Sequence, residues 1–172
     1  MNSTSINFSE FKNKKILITG ASTGIGAALA KAFAKQGAIV GLHYLSSVDA
    51  ANQVASEIRS EGGSVELIKA DASDSQALAV AVKEAAERLG GLNGLINNAG
   101  GMVRRVPYAE VTDKDYDEIM DLNARSIVVA SKEALPFLKH EGGFVINTTS
   151  IAARNGAGGG AGMYGFSKAF VS

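Results

Sequence analysis

"KKILITGASTGIG" (Lys14–Gly26) is the stretch on which the fold turns. Its first half, Lys14 to Thr19, is a short apolar run rich in β-branched residues and reads as a buried strand. Its second half carries Gly20, Gly24 and Gly26 in a Gly-x-x-x-Gly-x-Gly spacing, which differs from the commoner Gly-x-Gly-x-x-Gly fingerprint. The physics is the same in both. Bare backbone lets the turn tighten, and the helix that follows presents free N–H groups to a pyrophosphate. A plain strand-to-helix turn is the competing reading. A glycine turn that follows the first strand and opens a helix is, however, the context a phosphate-binding fingerprint requires.

Outward from that turn, strands and helices alternate. "GIGAALAKAFAKQG" reads as a helix with Ile25, Leu29, Ala32 and Phe33 on one face and Gly37 as its stop. "AIVGLHYL" is a second strand, Val48 to Glu61 a helix ending at Gly62-Gly63, and "SVELIKA" a third strand. Ser73, with Gln76 three residues on, predicts a capping box opening a helix whose apolar stripe is Leu78, Val82, Ala85 and Leu89. "GLNGLIN" is a fourth strand. Thr112 and Asp115 cap a long helical stretch to about His140, with interruptions expected near Asn123 and Pro136. "GFVINT" is a fifth strand, and Gly162 starts another helix. This pattern predicts one α/β domain over residues 1–172, a doubly wound, Rossmann-like parallel sheet covered on both faces. Ligands bind such a sheet beyond the C-terminal ends of its strands, at the switch point.

Composition narrows the class. At 172 residues the chain suits one domain, and 46% hydrophobic with 20% charged residues is ordinary for a globular protein. Seventeen basic and 17 acidic residues cancel, which leaves no electrostatic footprint for nucleic acid or an anionic membrane. There is no cysteine, which excludes disulfides and thiolate metal sites and fits a cytoplasmic location. The N-terminus lacks an apolar signal core, and no apolar run reaches the ~20 residues of a membrane helix. His43 and His140 are too few and too far apart for a metal site. "DKDYDEIMD" imitates a calcium loop, but Glu118 stands where glycine is needed and Ala124 where glutamate is needed. "GAGGGA" (Gly156 to Ala161) imitates the dinucleotide fingerprint, but no second strand follows it, so it reads as a flexible active-site loop. Arg104 and Arg105 read as surface residues beside the cleft.

"YGFSK" places Tyr164 and Lys168 one helical turn apart. Four tyrosines and 11 lysines in 172 residues give that spacing by chance about one time in four, so alone it says little. Together with "TGASTGIG" after the first strand, "NNAG" (Asn97 to Gly100) after the fourth, Asn123 in "LNARS" and Ser150 in "INTTS", it is one of five motifs in order. Over residues 14 to 172 these resemble the short-chain dehydrogenase/reductase family, nearest to the branch containing 3-oxoacyl-carrier-protein reductases and glucose dehydrogenases. The glycine spacing separates the chain from the epimerase-like branch, whose first motif is Thr-Gly-x-x-Gly-x-x-Gly.

The resemblance implies an oxidoreductase that moves hydride between a nicotinamide cofactor and a carbonyl or secondary alcohol. It makes Tyr164 the general acid/base, with Lys168, Ser150 and Asn123 completing the catalytic set. A free phenol, with a pKa of about 10, is too weak a base at pH 7. An ammonium ~4 Å away at an effective dielectric near 20 contributes ~4 kcal/mol toward phenolate. Lys168 would also hold the nicotinamide ribose, Ser150 the reacting carbonyl, and Asn123 a water leading from Lys168 to solvent. The cofactor would meet Gly20, Ser22, Thr23, Gly24, Ile25 and Gly26, then Tyr44 and Ser46 after the second strand. Asp71 and Ala72 after the third strand and Asn98, Ala99 and Gly100 after the fourth complete its contacts, with Tyr164 and Lys168 at the nicotinamide end.

Relatives that prefer NAD carry an acid at the end of the second strand. Tyr44 stands there, followed by Leu45, Ser46 and Ser47, so NADP is the expected cofactor; no Arg or Lys accompanies it in the glycine loop, which keeps the preference modest. Two features depart from the family pattern. Ser150 and Tyr164 are 14 apart, one more than usual, with the surplus in the glycine-rich loop. Family members also continue beyond this point, so the first five strands are expected here, with the C-terminal strands missing and a homo-oligomer expected of the full-length chain. Alternative readings are a dinucleotide-binding module without turnover and an inactive fragment of such an enzyme.

Overall fold

A computed structural model describes residues 9–138 and 142–172. Among these residues five strands form one sheet in the order β3-β2-β1-β4-β5, every pair parallel. They are β1 (Lys15–Ile18), β2 (Ile39–Tyr44), β3 (Ser64–Lys69), β4 (Gly94–Asn97) and β5 (Phe144–Asn147). The order reverses between β1 and β4, which neighbour one another, so the switch point opens at the C-terminal end of β1. The helices are α1 (Gly24–Lys35), α2 (Val48–Ser60), α3 (Ser75–Leu89), α4 (Asp113–Met120), α5 (Ser126–Leu138), α6 (Ala152–Asn155) and α7 (Gly162–Phe170).

Alternation along the central strands divides the core in two. Ile16, Ile18, Val40, Leu42 and Ile96 face α1 and α2, where Ala30, Val54 and Ile58 meet them. Leu17 and Leu95 face the other side, against Leu78, Val82, Ala85 and Leu89 of α3 and Ala130 and Ala134 of α5. The expected stripe on α3 is therefore the buried one.

Four expectations need correction. The core face of α1 is Gly26, Ala27, Ala30 and Ala34, small residues that let the helix lie close on the sheet. Ile25 is 65% exposed, Ala32 is exposed, and Leu29 and Phe33 only flank the core, with Phe33 edge-on to Phe11 at 5.1 Å. Helix α3 is capped by Asp74, whose carboxylate accepts from the amides of Gln76 and Ala77, while Ser73 instead donates to Asp71. Pro136 does not interrupt α5, which runs through it to Leu138. The sheet is not covered on both faces at β5, where Val145 and Ile146 are 41% and 48% exposed.

The expectations for the start of α4 and for the break near Asn123 match. The Thr112–Asp115 capping box opens α4, and the interruption near Asn123 is a π-helical segment, Asp121–Arg125, between α4 and α5. The expected helix end near His140 falls outside the described residues. "DKDYDEIMD" is the start of α4, with Asp115 and Glu118 both ion-paired to Arg104. No helix among the described residues is long and apolar enough to cross a membrane, and none of their His, Asp and Glu side chains group to hold a metal ion.

Candidate active site

A pocket of about 540 Å³ lies beyond the C-terminal ends of β1, β2, β4 and β5. Gly20, Ser22, Thr23 and Ile25 form its floor and one wall; His43 through Ser47 form the wall after β2. Asn98, Ala99 and Gly100 follow β4, Thr148, Thr149 and Ser150 follow β5, and Tyr164 and Lys168 reach in from α7. Among the described residues no lining side chain is acidic, and Lys168 is the one lining cation.

The glycine turn is fastened from below. Thr19 Oγ1 accepts from the amides of Asn98 and Ala99 at 3.0 and 2.9 Å, and Asn98 Nδ2 donates to the carbonyls of Thr19 and Gly20. This leaves no room at Gly26: a Cβ there would stand 2.3 Å from the Gly20 carbonyl oxygen and 2.6 Å from Asn98 Nδ2. Gly26 therefore supports the turn rather than lining the pocket, and Gly24 does not line it either. Thr23 and Ser47, at the N-caps of α1 and α2, make no side-chain cap bond, whereas Asp74 and Thr112 cap α3 and α4. No side chain competes for the first amides of α1, which starts at the pocket and can offer them to an anionic ligand.

At the other end, Lys168 is 3% exposed, and its Nζ donates to the Thr148 carbonyl at 2.9 Å. Burial holds this ammonium below its ordinary pKa. Thr149 Oγ1 donates to the Lys168 carbonyl, so α7 is tied to the end of β5 by both bonds. Ser150 Oγ accepts from the Ala152 amide at 3.2 Å, just before the short α6, and its own proton can be donated. Asn123 lies beneath the pocket, fully buried. Its Oδ1 accepts from the Gly101 amide and its Nδ2 donates to the carbonyls of Gly101 and Ile119. A side chain at Gly100 would collide with Asn123 Oδ1 and Lys168 Nζ, at 2.8 and 3.0 Å, so glycine there lets the two approach one point.

Ser150, Tyr164 and Lys168 thus share the pocket with Gly20, Ser22, Thr23, Ile25, Tyr44, Ser46, Asn98, Ala99 and Gly100. Asp71 and Ala72 are not brought there; Asp71 Oδ1 accepts from the amide and hydroxyl of Ser73 and closes the turn before α3. The Gly156–Ala161 segment does not line the pocket. It is held by Arg105, which donates to the Gly158 and Gly159 carbonyls, and by the Val106 amide on Gly160. Sequence reading missed His43, Leu122, Thr148 and Thr149 as lining residues. Thr148 and Thr149 were signalled by their place at the end of a parallel strand, and His43 by being a polar residue in the apolar run of β2.

The short chain dehydrogenase family model matches residues 14–172. An uncharacterized oxidoreductase of Methylorubrum extorquens is 38% identical over 83% of the chain, and the 3-oxoacyl-[acyl-carrier-protein] reductase of Staphylococcus aureus is 31% identical over 83%. The chain covers 57% and 58% of these two relatives, and so spans little more than half their length. Among solved structures, the NADH-dependent reductase A1-R' complexed with NAD is 39% identical with a TM-score of 0.90, over 95% of this chain and 70% of that one. A short chain dehydrogenase of Burkholderia cenocepacia in complex with NADP is 38% identical with a TM-score of 0.88, over 94% and 65%. The chain belongs to the short-chain dehydrogenase family.

Proposed function

We propose that the pocket binds a nicotinamide dinucleotide and that the protein transfers hydride between it and a carbonyl or secondary alcohol, with Tyr164 as general acid/base. One observation carries this: Tyr164, Lys168 and Ser150 line the same pocket as the glycine turn and the uncapped start of α1. The cofactor supplies the hydride acceptor or donor. The chain supplies the rest. Ser150 donates a hydrogen bond to the substrate oxygen and Tyr164 passes a proton to or from it. Lys168, as an ammonium, favours the phenolate of Tyr164. Asn123 holds the Gly101 backbone, next to the Gly100 that Lys168 approaches, and in this reading a water that leads the proton to solvent.

NADP is proposed over NAD. The wall after β2 offers Tyr44, Ser46 and Ser47 and no carboxylate to repel a 2′-phosphate. With neutral hydrogen bonds at ~1 kcal/mol each, the preference is about tenfold. A cytoplasmic location rests on the lack of cysteine. Self-association is proposed from the exposed Tyr116, Val128 and Phe170, which line one groove beside α4, α5 and α7.

The test is turnover of NADPH with small ketones by this chain and by a C-terminally lengthened form. In whichever form turns over, Tyr164→Phe lowers kcat by about a thousandfold and leaves dinucleotide Kd within about twofold, since only the transferable proton is lost. Lys168→Ala damages both. Equal kcat for Tyr164→Phe and wild type sinks the mechanism.

A further inference from the structure

One buried side-chain nitrogen among the described residues has no hydrogen-bond partner: Nε2 of His43. The ring is 3% exposed, near the end of β2 and at the pocket wall. Its Nδ1 accepts from the Gly20 amide at 3.1 Å, and the His43 carbonyl accepts from the Ala21 amide at 2.8 Å. A ring nitrogen that accepts an N–H carries no proton, so the neutral ring bears its proton on Nε2. Burial pushes the pKa down to about 4, opposed by the Ala70 backbone and the Asp71 carboxylate, so the ring is neutral at pH 7. An apolar side chain would fill the same space without taking two ring nitrogens out of water. What the imidazole adds is an acceptor under the first amide of the glycine turn.

We propose that His43 is a positioning residue for the dinucleotide: its Nδ1 lone pair holds the Gly20 amide and so sets the path on which Ser22, Thr23 and Ile25 meet the ligand. This rests on the dinucleotide reading given above. The geometry requires an acceptor at the place of Nδ1, and not at the place of Nε2. Asparagine puts its Oδ1 where Nδ1 stands, glutamine reaches only the outer position, and leucine keeps bulk without an acceptor.

Calorimetric titration of NADPH into wild type, His43→Asn, His43→Gln and His43→Leu, at a temperature where circular dichroism shows each folded, separates these. Kd for His43→Asn stays within about threefold of wild type, and His43→Gln and His43→Leu weaken about tenfold or more. A leucine variant that binds like wild type overturns the inference, since it means the ring only fills space. Should the variants not fold, 15N spectra of the unliganded wild-type imidazole decide: a bare Nδ1 coupled to the Gly20 amide supports the inference, and a protonated Nδ1 overturns it. Wild-type protein that binds neither NADPH nor NADH overturns the dinucleotide reading, and the role of His43 with it. Wild type that binds while the leucine variant binds equally overturns the role of His43 alone.

Discussion

Strands β1 and β5 are both four residues long, both apolar, and both parallel neighbours of β4. Ile16 and Ile18 of β1 are wholly buried, while Val145 and Ile146 of β5 are nearly half exposed. The difference is position. β1 has a strand on each side and helices on both faces; β5 pairs only with β4 among the described residues. Yet each leads into a segment that lines the same pocket, with Gly20, Ser22, Thr23 and Ile25 after β1 and Thr148 to Ser150 after β5. The proposed phosphate end of the site is built on the rigid centre of the molecule, and the proposed reacting end on its thinly covered edge.

Truncation measures that contrast most strongly. Ile18→Ala empties space between β1 and α1 and costs about 2–5 kcal/mol in chemical denaturation. Val145→Ala, on a face that water already reaches, costs less than about 1 kcal/mol. Equal losses at the two positions break the comparison.

A slightly smaller effect comes from His43, which belongs to the central region alone. Its pKa is about 4 in the folded protein against 6.5 ordinarily, so the unfolded chain takes up a proton first as pH falls. The stability tied to the neutral ring is complete above pH 6.5. It is lost at about 1.4 kcal/mol per pH unit below that, about 3 kcal/mol in all by pH 4. His43→Asn removes this slope, measured as urea midpoints from pH 7 down to 4.5. A wild-type slope unchanged in the variant places the titration elsewhere.

Much of this was legible in the sequence because strand and helix periods differ and because turns demand particular residues. The alternation, the α3 stripe and the Thr112 capping box follow from those rules. The face of α1 did not, because its apolar periodicity points to Leu29 and Phe33 while close packing on a sheet favours the smaller Ala30 and Ala34. Asp74 displaced Ser73 as cap because either residue fits the position and only the turn closed by Asp71 decides between them. The apolar run of β5 does not by itself say how many neighbours the strand has. The co-location of Ser150, Tyr164 and Lys168 could be expected from their strand-end and helix-start positions. The bond from His43 to Gly20 joins residues 23 apart and needed coordinates.

The central claim is that the pocket spanning both regions is a dinucleotide site with no acid to exclude a 2′-phosphate. Titration of NADPH and NADH into the protein, followed by nicotinamide fluorescence or heat, tests it most directly. Saturable binding of both at one site, with NADPH favoured by about tenfold, is the predicted result; NADH bound tighter by that factor, or no saturable binding of either, would contradict it.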